Sequence, residues 1–139
     1  MTTLNILFFL IPKSQVEYVF DDYSVRQVLE KMSFHRYSAV PVLNHDGNYV
    51  GTVTEGDLLW HIKDQKDYNV KKAENDPLSS VEKKHTMTAI KSTEKIEDLL
   101  QLAINQNFVP VLDDNNIFIG IITRKDIIQY CRQELYSKE

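Results

Sequence analysis

Hydrophobic positions along the chain follow two rhythms in turn, and the whole succession occurs twice. Val25, Val28, Leu29 and Met32 fall at i, i+3, i+4 and i+7, the stripe of an amphipathic helix. Ile96, Leu99, Leu100 and Ala103 repeat that stripe 71 residues later. After each stripe comes a short apolar run, Ala39–Leu43 and Phe108–Leu112, that predicts a buried strand. A polar turn follows, Asn44-His45-Asp46-Gly47-Asn48 and then Asp113-Asp114-Asn115-Asn116, built from residues that tolerate turn backbone. Next stands a third strand, Tyr49–Thr54 and its repeat at 117–123. A last helix carries Leu58, Leu59 and Ile62, then Ile127, Ile128 and Cys131. Short extended pieces at 16–20 and 86–90 open the two units, and Asp22 and Thr93 suit N-caps for the helices behind them. Each unit therefore predicts β-α-β-β-α, and the chain an α/β (α+β) sandwich.

The duplication holds residue by residue. Val40-Pro41-Val42-Leu43 meets Val109-Pro110-Val111-Leu112 at an offset of 69. At the same offset Gly51 meets Gly120, Thr54 meets Thr123 and Asp57 meets Asp126. Seven of the twenty positions from 40 to 59 are identical to their partners, where chance gives about one. The change of offset from 71 to 69 makes the loop after the first helix two residues shorter in the second unit. The expected organisation is an apolar segment at 1–12, a first repeat at 13–62, a linker at 63–85, a second repeat at 86–133 and a tail at 134–139. Asp76-Pro77 suggests a short helix start inside the linker, with Asp as cap. The apolar opening segment is too short to span a membrane and lacks the flanks of a signal peptide. It is expected to pack on the core or on a second copy.

Composition narrows the function. The formal net charge is −4, which argues against direct binding to nucleic acid, since phosphate contacts need clustered basic residues. The single cysteine, Cys131, excludes an intrachain disulfide and a thiolate metal cluster, and fits a reducing cytoplasm. His35, His45, His61 and His85 show no metal-ligand spacing. No P-loop, dinucleotide fingerprint or zinc-protease motif occurs, so neither enzyme activity nor a catalytic cofactor is expected.

The chemistry concentrates in Gly51-Thr52-Val53-Thr54-Glu55-Gly56-Asp57 and Gly120-Ile121-Ile122-Thr123-Arg124-Lys125-Asp126. In each, a strand ends in Thr and an Asp follows three residues on as a helix begins. Thr and Asp at this spacing make a capping box without any ligand. The same corner also presents free N–H groups and a positive dipole end to an anion, and an Asp carboxylate can accept both hydrogens of a ribose diol. The repetition favours a nucleotide site with capping as a by-product.

These paired Val-Pro-Val-Leu strands and paired Gly-x-x-Thr-x-x-Asp motifs resemble the cystathionine-β-synthase (CBS) domain family over about residues 13 to 133. The resemblance implies two repeats packed about a pseudo-twofold axis with two equivalent clefts. It implies an adenosine ligand, AMP, ADP or ATP first, with cyclic di-AMP or S-adenosylmethionine as alternatives. It also implies pairing of two copies into a four-repeat disc and regulation of a target protein. Asp57 and Asp126 would hold ribose, and Thr54 and Thr123 phosphate. Adenine would lie against Tyr37-Ser38-Ala39 and Asn107-Phe108-Val109. Arg124 and Lys125 favour phosphate at the second site. Glu55 opposes it at the first, unless His35 and Arg36 supply charge. The second site is therefore expected to bind more tightly. The reading from another class is a ligand-independent interaction or dimerisation module, with Leu59, Trp60 and the apolar start as candidate contacts.

Overall fold

The computed structural model describes residues 4–35, 37–64, 70–83 and 86–137. In chain order the elements are β1 (Ile11–Pro12), β2 (Val19–Phe20), α1 (Val25–His35), β3 (Ala39–Leu43), β4 (Tyr49–Thr54), α2 (Glu55–Lys63) and α3 (Val70–Glu74). They continue as β5 (Ile90–Lys91), α4 (Ile96–Ala103), β6 (Phe108–Leu112), β7 (Phe118–Thr123) and α5 (Arg124–Ser137). Two compact units result: a first of Glu17–Thr86, and a second that joins Met1–Val16 to Met87–Glu139.

In the first unit β2 runs parallel to β3, and β3 antiparallel to β4, in a sheet ordered β2-β3-β4. The second unit repeats this as β5 parallel to β6 and β6 antiparallel to β7. The agreement extends to detail. The register slips at Val42/Leu43 and again at Val111/Leu112. Gly47 and Asn116, twin turn positions, both take the left-handed backbone, with φ of 89° and 65°. Asn is the non-glycine residue best suited to that region, which is why the second turn works without glycine.

Each unit has its own core. Val19, Val25, Val28, Met32, Val40, Val42, Val53 and Leu58 close the first. Ile90, Leu99, Val109, Val111, Ile122 and Ile127 close the second. Of the apolar pairs on α2 and α5, Leu58 and Ile127 go into the cores while Leu59 and Ile128 stand out in solvent, and Cys131 is exposed. The stripe is thus narrower than the sequence suggests, because each helix lays only one side on its small sheet.

Three local expectations are corrected. Ser24, not Asp22, caps α1: its Oγ accepts from the Gln27 N–H (3.2 Å) while Gln27 Oε1 accepts from the Ser24 N–H (2.8 Å). Asp22 lies two residues early and pairs with His45 Nε2 at 2.8 Å. Likewise α4 begins at Ile96, too late for Thr93, and Asp98 accepts from the Lys95 N–H at 3.4 Å. After Asp76-Pro77 there is only a single 3-10 turn, Leu78–Ser80, with Pro77 at the cap position. The Asp76 carboxylate is engaged instead by His61 Nε2 at 2.8 Å. The segment 63–85 is also more than a solvated link, since Ala73, Leu78 and Val81 are buried.

The apolar start belongs to the second unit's core. Ile6 is fully buried and Phe9 nearly so. Phe8 and Phe9 meet the Tyr130 ring edge to face, at 5.3 and 5.4 Å between centroids. β1 pairs antiparallel with β7, Ile11 opposite Ile121 and Pro12 opposite Gly120. The second unit therefore has a four-stranded sheet, β1-β7-β6-β5. At Gly120 φ is +152°, and a Cβ there would fall 2.1 Å from the Ile11 carbonyl oxygen. At Gly51 it would meet only the flexible Lys83 ammonium, at 3.2 Å. The glycine of the second motif is thus demanded by the close approach of β1, a demand its twin does not face. No described helix is long and apolar enough to cross a membrane.

Candidate functional site

The two corners that end β4 and β7 share one framework. In the first unit Ala39 pairs with Thr54, and the Glu55 N–H donates to the Ser38 carbonyl at 2.9 Å. In the second, Phe108 pairs with Thr123, and the Arg124 N–H donates to the Asn107 carbonyl at 2.9 Å. Tyr37-Ser38-Ala39 therefore lies beside Thr54, and Asn107-Phe108-Val109 beside Thr123, within one unit each. The Val109 side chain is fully buried and Phe108 half-buried. Tyr37 is exposed, not core, and stacks on His35 with 5.5 Å between ring centroids.

On that shared framework the carboxylates differ. At the first corner the Asp57 N–H donates to Thr54 Oγ1 (3.1 Å), and Asp57 Oδ2 accepts from the Thr54 N–H (3.0 Å). This is a complete capping box, and Asp57 is buried at 5% exposure. At the second corner the Asp126 N–H donates to Thr123 Oγ1 at 3.2 Å. The return bond is missing. Asp126 is half-buried, and among the described residues its carboxylate accepts no hydrogen bond.

The charges expected at phosphate are placed differently from the sequence reading. Arg124 turns back onto the end of α4, donating from Nε to the Ala103 carbonyl (2.7 Å) and from Nη2 to the Ile104 carbonyl (3.3 Å). The last carbonyls of a helix lack partners within it, and a cation there is favoured. Lys125 is exposed. His35 pairs with Glu17 (3.2 Å), which also meets Lys31 (3.4 Å), so it brings no unpaired cation to the first corner. Arg36 lies outside the described residues. Glu55 and Ser38 are exposed.

Beside each corner is a concavity on the helical side. In the first unit it is about 540 Å³, lined by Leu29, Met32, Tyr37, Glu55, Gly56 and Leu59 among others. In the second it is about 690 Å³, lined by Asn107, Arg124, Lys125, Ile128, Gln129 and Arg132. Thr123 and Asp126 do not line it. Both volumes are of ligand size, one largely apolar with an acid, the other basic. Arg132 was not among the sequence-expected residues; its signal is a basic residue one helical face along from Arg124 and Lys125, at i+8 and i+7. Among the described residues no group of three His, Cys, Asp or Glu side chains is placed to hold a metal ion. Trp60 is 44% exposed and lies under the Lys63 ammonium, 4.6 Å from the ring centre, and so is not core.

Set beside known proteins, the chain matches the CBS domain model twice, over residues 10–64 and 80–133. It belongs to the CBS-domain family, in a two-repeat form. A solved structure of CbpB in complex with c-di-AMP matches with a TM-score of 0.82 and 26% identity, covering 97% of this chain and 89% of that one. A hypothetical conserved protein from Geobacillus kaustophilus matches with a TM-score of 0.86 and 21% identity, over 96% of this chain and 99% of that chain. An uncharacterised protein of Methanocaldococcus jannaschii is 25% identical over 150 residues, which cover 94% of this chain and 53% of that protein. The chain thus spans about half the length of this curated relative.

Proposed function

We propose that this chain is a regulatory module, without catalysis of its own, that binds an adenosine nucleotide at the corner of Thr123 and Asp126. AMP, ADP or ATP is the first choice. Asp126 accepts the ribose hydroxyls, the Thr123 hydroxyl and the N-terminus of α5 face phosphate with Lys125, and the backbone of Asn107, Phe108 and Val109 meets adenine. The observation that supports this is the Asp126 carboxylate: half-buried at a helix start, it makes no bond to any described residue. A carboxylate so placed is an acceptor awaiting donors. Asp57 is the contrast, already closed into its capping box, so its corner binds weakly. Binding would shift the module between arrangements by its differential affinity for them, and a target protein or a second copy in the cytoplasm would sense the change.

Cyclic di-AMP is the second reading, because the CbpB structure at 26% identity holds that ligand. Titration calorimetry with AMP, ADP, ATP, S-adenosylmethionine and cyclic di-AMP tests both. At least one should bind, Asp126→Ala should weaken it more than tenfold, roughly the value of a charge-assisted hydrogen bond, and Asp57→Ala should weaken it less. Silence from all five ligands would leave a ligand-independent interaction module. Equal losses in the two variants would end the proposed inequality of the corners.

A further inference from the structure

Arg124 occupies the position at which Glu55 stands in the first unit. Its backbone N–H holds the Asn107 carbonyl at 2.9 Å, and its guanidinium holds the Ala103 and Ile104 carbonyls at 2.7 and 3.3 Å. One residue thus fastens both ends of the turn that joins α4 to β6. α4 has no basic residue in its own last turn, so its terminal carbonyls depend on this borrowed cation. On the other side of the same turn, the Gln106 amide bonds the Thr88 N–H (2.9 Å), the Thr88 carbonyl (3.0 Å) and the Phe108 carbonyl (3.2 Å). Glu55 cannot serve its own helix in this way, because a carboxylate donates nothing to carbonyls. There α1 runs on to His35, and Tyr37 N–H closes onto the Met32 carbonyl at 3.1 Å.

We propose that Arg124 is a positioning residue: it clamps the turn at 103–107 to the start of α5, fixes the backbone of Asn107 and Phe108 that meets the base, and does not touch phosphate. The role rests on the adenosine ligand proposed above. The Nε and Nη2 bonds to the Ala103 and Ile104 carbonyls hold the guanidinium against the end of α4, so swinging it away onto an anion would break both and loosen the segment that holds the base. Holding that segment in its bound form before the ligand arrives removes an ordering cost from binding.

Adenosine and AMP separate this role from a phosphate contact, because adenosine has no phosphate. Calorimetry on Arg124→Gln should show both ligands weakened by the same factor, about five- to tenfold for a short turn that must now be ordered on binding. Arg124→Lys, which keeps the charge but not the fork, should also lose adenosine affinity. Loss of AMP affinity alone, restored by Arg124→Lys, would overturn the proposal. A ligand-free readout stands beside these. Amide hydrogen exchange at residues 104–107 should quicken in Arg124→Gln while residues 38–57 keep their rates. Unchanged exchange at 104–107 would show that no clamp exists. Failure of both ligands to bind the unaltered protein would overturn the nucleotide reading and this role with it, and the exchange comparison would tell that outcome from failure of the clamp alone.

Discussion

The two units are built on one plan and differ in how far each side chain at the corner is already committed. In the first, Thr54 and Asp57 satisfy each other and bury the carboxylate. In the second, half of that exchange is absent, and the basic residue beside it holds a neighbouring helix end. A closed capping box and a corner left open thus use the same two residue types at the same spacing. What separates them is whether the acid's oxygens have found donors inside the chain. A second difference lies behind the corners. β7 carries an extra strand, β1, along its edge, whereas β4 is the edge of its own sheet.

The sharpest way to break the comparison is at the twin glycines. Gly120→Ala drives a methyl group into the Ile11 carbonyl, and we expect a loss of at least about 3 kcal/mol in denaturant unfolding, as for other strained core positions. Gly51→Ala should stay within about 0.5–1 kcal/mol, because only the tip of Lys83 must move. Comparable losses would mean that β1 does not constrain β7. Next comes Ile6→Ala. Ile6 is fully buried in the second core, so about 2–4 kcal/mol should go, with faster amide exchange confined to the second unit. Exchange quickening equally in the first unit would show that the apolar start serves both cores.

The acids come third. Asp57→Ala should lower stability by about 1–2 kcal/mol through loss of the box, seen as a lower melting temperature without ligand. Asp126→Ala should leave the ligand-free melt within about 0.5 kcal/mol, since among the described residues its carboxylate accepts no hydrogen bond and only its place in the first turn of α5 is lost. The reverse order would exchange the roles given to the two corners. The smallest effect separates Tyr49 from its twin, Phe118. Burial pushes the Tyr49 phenol above its usual value, and the bond to Thr52 only partly offsets this. A group raised by folding contributes stability that is whole below the ordinary tyrosine value, about 10, and is lost as pH rises through the folded value. Tyr49→Phe should remove that alkaline sensitivity, at a cost near neutrality of about 1 kcal/mol for the Thr52 bond. An unchanged alkaline limb would assign it to another residue.

Much of this was legible in the chain. Val-Pro-Val-Leu placed β3 and β6 at their observed bounds, and the shared offset aligned even the turn residues with left-handed backbone. Such features depend on neighbours in sequence. The family and the α/β class followed from the duplication and hold. What escaped depends on partners far along the chain. The bond from Arg124 to Ala103 spans 21 residues, and that from His61 to Asp76 spans 15. Local pattern assigned Arg124 to phosphate and Asp76 to a cap because those are the nearest uses for such groups. The caps of α1 and α4 were misplaced by two residues, since the turn after a two-residue strand has no apolar rhythm to mark its length. The unequal state of Asp57 and Asp126 is likewise invisible, as both motifs read Thr-x-x-Asp.

The strand pairing of Ile11 and Pro12 with β7 bears on how the molecule is made. Glu17–Thr86 is one continuous stretch and contains the whole β2-β3-β4 sheet. Ile11 and Pro12 are made before that stretch yet pair only once Phe118–Thr123, on its far side, has been synthesised. Until then Ile6 and Phe9 lack the core that buries them, so the second unit closes only after residues on both sides of the first unit's stretch have been made.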